Sequence, residues 1–336
     1  MKNNIKYARI SIICLMISLF IASPVFSQSQ PQPLKNLQNS VDNFSKKLAL
    51  SMPFNSTMGL NWSDAYIGQL LDLPPHFGVG LAVGFTTIDS KPAEKLLNQF
   101  GLELPMDFGK FPLPGYTVEG RIGGFLLPFD VGLKIGYLNM KPADYETKYF
   151  LVGGDVRYAV LKGDVFPLKV SAGLGFNHLR GEIGLAKKGF AQEFNFNNDI
   201  SSYTMRISDP KVNLSWETSS LDIKAQASFS LAIITPYIGI GASYAWSKAG
   251  YKADAKLTDE LDVPLIQDKD AVNAIKNYGI DVSSKGLSSI VDVNNFSARL
   301  FGGLSFNLAV VKIDLTGMYN FIDSQYGVTF GTRFQL

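Results

Sequence analysis

The chain has 336 residues, of which 46% are hydrophobic and 18% are charged, and its formal net charge is +2. The apolar content excludes an intrinsically disordered chain. The charged fraction is below the ~25% that is usual in soluble domains, and it accompanies 31 glycines and 24 phenylalanines.

The amino-terminal residues predict a secretory signal peptide over residues 1–27. Three basic residues precede an apolar stretch over 10–22, and small or helix-breaking residues follow. The stretch is shorter than the ~20 residues of a transmembrane helix. Its removal takes away three positive charges, so the mature chain carries +2 − 3 = −1. This balance argues against a nucleic-acid partner.

Catalytic and metal-binding side chains are scarce. Cys14 is the only cysteine and lies within the signal segment, so the mature chain has no thiol chemistry. The two histidines, His76 and His178, fall at opposite ends of predicted strands. No His or Cys pair has metal-ligand spacing. We therefore predict no enzyme activity, no catalytic residue, no metal and no cofactor.

Alternation with a period of two recurs after the signal segment and predicts strands with one apolar face. At the C-terminus, Tyr326, Val328 and Phe330 share one face, whereas Arg333 lies on the other. None of the apolar-face positions in the segments with this pattern is charged. The segments are 77–86, 116–126, 131–138, 150–160, 168–177, 221–229, 237–246, 298–307, 311–321 and 326–336.

The connections between these segments favour a membrane barrel over a soluble β-sandwich. Every second connection is short, and the longest, 87–115, 178–220 and 247–297, fall on one side. Outer-membrane barrels have short periplasmic turns, longer external loops and an apolar outer face. We predict an all-β fold over residues 76–336, a transmembrane antiparallel up-and-down β-barrel of about 10 strands in the bacterial outer membrane. The long connections leave 12 to 14 strands open.

The opposite strand face is rich in glycine and carries twelve charges, and we predict that it lines the lumen. Opposite charges often lie two residues apart on one strand, as Asp155 and Arg157 do. An internal salt-bridge network fits these residues, and their basic excess also fits an anion-favouring pore. The lumen-lining residues are Glu119, Arg121, Lys134, Asp155, Arg157, Lys169, Asp222, Lys224, Arg299, Lys312, Asp314 and Arg333.

Residues 28–75 predict a tether followed by a helical segment. Apolar residues recur there at spacings of three and four, and Pro74 and Pro75 end any helix. The segment fits either a plug inside the lumen or a periplasmic piece beneath the barrel. Two external connections also predict helices, one near 90–101 and one near 270–279. The candidate plug residues are Leu37, Val41, Phe44, Trp62 and Tyr66.

Two short motifs carry a resemblance. The stretch Asn61-Trp62-Ser63-Asp64-Ala65-Tyr66-Ile67-Gly68, followed by Pro74-Pro75-His76-Phe77-Gly78-Val79-Gly80, resembles a paralogous group of spirochaetal (treponemal) outer-membrane proteins. These proteins are likened to long-chain fatty-acid transporters. The resemblance implies passive uptake of hydrophobic small molecules through a plugged barrel, with lateral exit through the wall. The chain departs from those transporters in its predicted strand number and in ending on Leu336.

The predicted function is passive transport or binding of small solutes, including hydrophobic ones. The alternative is a surface-exposed adhesin or structural outer-membrane protein acting through loops 178–220 and 247–297. The expected partners are outer-membrane lipid, a small solute or hydrophobic ligand, and the barrel-insertion machinery.

Overall fold

The computed structural model describes residues 32–89, 91, 109–141, 145–163, 166–186, 191–197, 202–259, 263–264, 267–277 and 287–336. The predicted signal peptide and most of the predicted helix near 90–101 lie outside these ranges. Helix α1 is Gln32–Ser56, and helix α2 is Lys269–Asn277, where the sequence predicts it. The strands are β1 Phe77–Asp89, β2 Lys110–Gly123, β3 Phe129–Met140, β4 Tyr145–Lys162, β5 Leu168–Ala186, β6 Ala191–Asn197, β7 Ser202–Phe229, β8 Ile234–Thr258, β9 Leu287–Leu308, β10 Val311–Asn320 and β11 Gln325–Gln335.

Ten strands close into an antiparallel barrel. Neighbours pair in chain order, β1 pairs with β11, and β5 pairs with β7 across the intervening β6. Strand β6 pairs with the first residues of β7 and lies outside the ring. The predicted ten-stranded up-and-down barrel is confirmed.

The barrel has an apolar exterior and a polar interior. Val79, Leu81 and Val83 of β1 point outward and are more than half exposed, whereas Glu119 and Arg121 of β2 point inward and are buried. A closed barrel pairs its backbone groups internally, which a lipid environment demands. The architecture is that of an outer-membrane barrel. Among the helical residues that the structure describes, no helix is long and apolar enough to cross a membrane.

The two ends of the barrel differ. The first residue of β1 and the last residue of β11 lie at one end, where β2, β4, β7 and β9 end and β3, β5, β8 and β10 begin. We call this the terminal end, and the opposite end the loop end. Short turns are periplasmic in outer-membrane barrels, which predicts that the loop end faces the cell exterior.

The predicted loop 178–220 is largely strand, and β8 and β9 extend into the two ends of the predicted loop 247–297, which corrects the sequence interpretation. Strand β7 has 28 residues and β8 has 25, whereas about 9–11 residues cross the membrane. These strands therefore continue as a paired ribbon beyond the barrel wall. The pattern hides them because both faces of a strand outside lipid meet water, which removes the alternation. The residues named for the alternative function are thus in part a strand ribbon.

The last turns of helix α1 and the segment after it lie inside the barrel. Every residue from Ser51 to Ile67 is buried. The helix ends at Ser56, and the chain then turns through positive φ angles of 81° at Gly59 and 57° at Leu60. A Cβ at Gly59 would lie 2.6 Å from both Thr117 Oγ1 and Glu119 Oε1, so the close approach requires glycine. This placement is that of a plug.

Candidate functional site

Asp64 of the plug is held by residues from opposite sides of the barrel. Its Oδ2 lies 2.5 Å from Lys312 Nζ and 3.1 Å from Arg333 Nη2, and its Oδ1 lies 3.6 Å from Lys169 Nζ. The side-chain amide of Gln335 also donates to Oδ2. Three cations from β5, β10 and β11 thus share one plug carboxylate near the terminal end.

Asp130 of β3 makes a second anchor for the plug. Its carboxylate accepts hydrogen bonds from Arg121 Nη1 at 2.5 Å and from Arg157 Nε and Nη2 at 2.8 Å. It also accepts one from the backbone N–H of Ile67 at 3.3 Å. Arg121 further pairs with Asp155 at 2.7 Å. Because these side chains are buried, their charges are shielded from water. Removal of one partner would leave an unpaired charge in the interior.

Trp62 fills the lumen between two wall arginines. The guanidinium carbons of Arg333 and Arg121 lie 4.9 and 5.7 Å from its ring centroid, within cation–π range. Its indole N–H donates to Glu119 Oε2 at 2.6 Å, and the N–H of Leu60 donates to the same oxygen at 2.9 Å. The wall therefore recognises the plug by both charge and shape.

Two wall lysines bind plug carbonyls where α1 ends. Lys134 Nζ donates to the carbonyls of Ser56 and Met58 at 2.7 and 2.6 Å, and Lys224 Nζ donates to that of Leu60 at 3.1 Å. The last carbonyls of a helix lack intrahelical partners and attract cations. The plug thus uses charges that would otherwise line a pore.

All twelve predicted lumen residues point into the barrel. Ten are buried, and Lys169 and Lys312 are partly buried. The ion pairs join different strands, as Arg299 with Asp222 at 2.6 Å and Arg333 with Asp314 show. Each of these lumen ion pairs therefore joins two strands. Asp130 and Arg157 are directly opposite in the register of β3 and β4, whereas Asp222 and Arg299 reach each other across β8.

The plug candidates divide into described and undescribed side chains. Phe44 is partly buried and packs against the apolar cluster described below, and Trp62 and Tyr66 are buried. The carbonyl of Tyr66 accepts a hydrogen bond from Lys169. Leu37 and Val41 lie on α1, and their side chains lie outside the described residues.

The barrel wall is interrupted between β2 and β3 toward the loop end. Their pairing stops at Val118 and Ile135, although both strands continue. Strand β1 pairs with β2 along its whole length, so only the β3 side of β2 loses its ladder. Pro112 and Pro114 lie in the unpaired part and have no backbone N–H to donate.

Tyr116 occupies this gap. Its hydroxyl accepts a hydrogen bond from the backbone N–H of Tyr137 at 3.0 Å, which replaces a missing strand-to-strand bond. Its ring lies 6.1 Å from that of Tyr149 on β4. Tyr116 thus closes the gap with a side chain, and a side chain moves more readily than a hydrogen-bonded ladder.

A cavity of about 180 Å³ lies between this gap and α1. We call it the β2–β3 cavity. The Tyr149 hydroxyl beside it is buried and has no hydrogen-bond partner among the described residues. An apolar cavity of about 150 Å³ is large enough for benzene. Its apolar lining includes Met52, Leu113, Leu138, Tyr149, Ile183 and Trp216.

Behind the β2–β3 cavity, α1 packs into an apolar cluster near the loop end. Leu48, Met52, Ile88, Leu151 and Leu179 are buried there. Because α1 forms one wall of the cavity and also fills the lumen, a displacement of α1 would enlarge both.

A larger depression of about 770 Å³ lies mainly on the outer wall and is not a comparable site. Its outward-facing lining includes Ala172, Ala225 and Ala242, flanked by Leu174 and Ile223. These side chains contact lipid in a membrane barrel, so acyl chains would fill the depression.

The histidines remain apart. His76 Nδ1 lies 3.1 Å from the Leu336 carbonyl at the terminal end, and His178 Nδ1 lies 2.9 Å from Ser219 Oγ on the outer face. Within the described ranges no group of three His, Cys, Asp or Glu side chains is arranged to hold a metal ion.

A family model described as "Family of unknown function (DUF6588)" matches residues 125–336. A comparison with curated protein sequences found no match. The outer-membrane protease OmpT from Escherichia coli has 10% identity and a TM-score of 0.40, with 78% of this chain and 97% of that chain covered. The translocator domain of autotransporter NalP from Neisseria meningitidis has 7% identity and a TM-score of 0.37, with 91% and 98% covered. A structure titled "CymD monoaromatic hydrocarbon channel" has 9% identity and a TM-score of 0.25, with 86% and 97% covered.

Proposed function

This chain belongs to the family of unknown function DUF6588, and we propose that it binds small apolar molecules in the β2–β3 cavity and passes them between the membrane and the cell exterior without chemical change. The observation that carries this proposal is the coincidence of three features. The hydrogen-bond ladder between β2 and β3 is missing on the loop-end side of Val118, an apolar cavity lies behind this gap, and the Tyr149 hydroxyl has no partner among the described residues.

The geometry favours a sideways path over passage along the barrel axis. The plug residues Ser51–Ile67 are buried within the lumen, whereas the gap faces outward between β2 and β3. Val118, Ile135 and Tyr137 at its margin are about half exposed and apolar or aromatic. An apolar solute dissolved in the membrane would therefore meet an apolar surface until it reaches the cavity.

The solute that fits best is about the size of one aromatic ring and carries one hydrogen-bonding oxygen. The volume sets the size. The buried Tyr149 hydroxyl sets the polar requirement, because an unpaired buried hydroxyl costs about 1–3 kcal/mol and a ligand oxygen would satisfy it. This solute class agrees with the hydrophobic uptake that the sequence resemblance implies.

Tyr149→Phe is expected to remove the preference for an oxygen-bearing ligand. Toluene and benzyl alcohol differ by one hydroxyl and serve as matched probes. The ratio of their dissociation constants should shift about five- to tenfold toward toluene, the equivalent of a buried hydrogen bond of about 1 kcal/mol. Binding to the full chain in lipid nanodiscs is measured by quenching of Trp216, with Trp216→Phe as the blank.

A cavity-filling variant tests whether the ligand binds in the β2–β3 cavity. Leu138→Phe fills the cavity, and Leu133→Phe adds the same bulk to the outer face of the same strand, where Leu133 is 67% exposed. Only Leu138→Phe should abolish binding of both probes. Equal affinity in the two variants, or an unchanged probe ratio in Tyr149→Phe, would refute the proposal.

Restoring the hydrogen bonds between β2 and β3 should close the lateral path of the solute to the cavity. In the double variant Pro112→Thr and Pro114→Thr, two N–H donors return to β2 opposite β3. Each new hydrogen bond contributes about 0.5–1.5 kcal/mol, so the urea midpoint should rise. The association rate of benzyl alcohol, measured by stopped-flow quenching of Trp216, should fall at least tenfold. A faster rate, or an unchanged one, would show that the gap is not the entrance.

A further inference from the structure

Helix α1 runs toward the loop end as its residue numbers fall. Near its last turn, Asn55 donates to Thr86 and Ser56 lies 3.3 Å from the Ser220 hydroxyl. One turn earlier, Ser51 accepts a hydrogen bond from Gln325, the first residue of β11 after the β10–β11 turn. The helix has therefore reached the loop-end rim of the short strands β10 and β11 by residue 51.

The helix continues outward from that rim. The carbonyl of Leu50 accepts a hydrogen bond from Asn295, and the helix contacts the long strands β7, β8 and β9. Gln32 lies 18 positions before Leu50 on the helix, and at a rise of 1.5 Å per position the two residues are about 27 Å apart along the axis. The apolar belt of a barrel is itself only about 25 Å tall, so the first residue of α1 lies well outside the belt.

The other end of the plug reaches the terminal end. Asp64 contacts Gln335, the last residue of β11, and His76 contacts the Leu336 carbonyl. Between these limits, contacts with Lys134, Glu119 and Asp130 follow one another down the lumen. The polypeptide therefore crosses the whole barrel once before β1 begins and crosses it again as β1.

We propose that α1 emerges from the barrel at the cell surface, so that its first residue, Gln32, lies outside the membrane on the loop side. The orientation follows from the short turns, which place the terminal end in the periplasm. The exposed side chains of Asn43 and Lys46 on α1 are polar, as an opening toward water requires. Gln32 and Leu336 then lie on opposite sides of the membrane.

Cysteine labelling on intact cells tests this topology. The only native cysteine is Cys14, and Cys14→Ser gives a cysteine-free background. Asn43→Cys and Lys46→Cys report on α1, Ser324→Cys reports on the β10–β11 turn, and Asp72→Cys reports on the terminal end. A polyethylene-glycol maleimide too large for the filled lumen should label the first three on intact cells, and should label Asp72→Cys only after permeabilisation.

An epitope inserted between Gln30 and Pro31 extends the test to the chain before α1. An antibody should bind it on intact cells, whereas the same epitope after Leu336 should bind only after permeabilisation. If Ser324→Cys is labelled on intact cells while Asn43→Cys and the amino-terminal epitope stay inaccessible, the proposal is wrong. If Asp72→Cys alone is labelled on intact cells, the terminal end faces the cell exterior, and the proposal is also wrong.

Discussion

Asp64→Ala is expected to release the plug and give the barrel measurable ion conductance. The substitution removes the carboxylate shared by Lys169, Lys312 and Arg333, and leaves these cations facing one another. Loss of one partner from a buried pair costs about 3–5 kcal/mol, and the partial exposure of Lys169 and Lys312 reduces this toward about 3 kcal/mol. The fraction of barrels with a displaced plug should then rise more than a hundredfold.

Single-channel recording in planar bilayers measures this effect as bursts of open time that the wild-type barrel lacks. Asp72→Ala is the matched control, because Asp72 lies on the same segment, is half exposed and contacts only His76 at 3.7 Å among the ion pairs described. The Asp72→Ala barrel should show no ion conductance. Heat-modifiable gel mobility shows that both variants retain the folded barrel. A folded Asp64→Ala barrel that stays closed would show that the carboxylate does not hold the plug.

The barrel could be predicted from the sequence because contact with lipid requires apolar residues at every second position of each strand. Val79, Leu81 and Val83 are apolar since hydrocarbon contacts them, and the alternate positions are small or charged since they face the lumen. This constraint acts only within the membrane. Beyond it, the extensions of β7 and β8 mix serine, lysine and asparagine on both faces, and the alternation no longer marks them as strands.

The contacts between plug and wall could be predicted only in part, because they depend on which strands become neighbours. Arg121 and Arg157 are evident as inward charges, yet Asp130 falls one residue before the predicted segment 131–138 and escapes notice. Asp64 lies in the predicted helical segment, but the helix ends at Ser56, so the helical spacing of the sequence does not mark Asp64 as an anchor. The Pro112-Leu113-Pro114 sequence is the one local signal of the wall gap, since two prolines at alternate positions deny one neighbour its hydrogen bonds.

Asp130→Ala is expected to destabilise the whole barrel by about 3–5 kcal/mol. Its carboxylate pairs with Arg121 and Arg157 in a region where all three side chains are at most 1% exposed. Removal leaves a buried guanidinium on Arg157 whose remaining described acceptor is the carbonyl of Asp64. It also frees the N–H of Ile67, so the plug and the wall weaken together.

Urea unfolding in lipid vesicles, followed by tryptophan fluorescence, measures this loss. Asp292→Ala removes an equally charged residue from an exposed pair with Lys248, and such pairs contribute little, so its midpoint should match the wild type. The double variant Asp130→Ala and Arg157→Met removes the orphaned cation and should recover at least half of the lost stability, since Arg121 keeps Asp155. Equal losses of stability in Asp130→Ala and Asp292→Ala would show that the wall is stable without this buried network. A double variant less stable than Asp130→Ala alone would show that the orphaned Arg157 cation is not the cause of the loss.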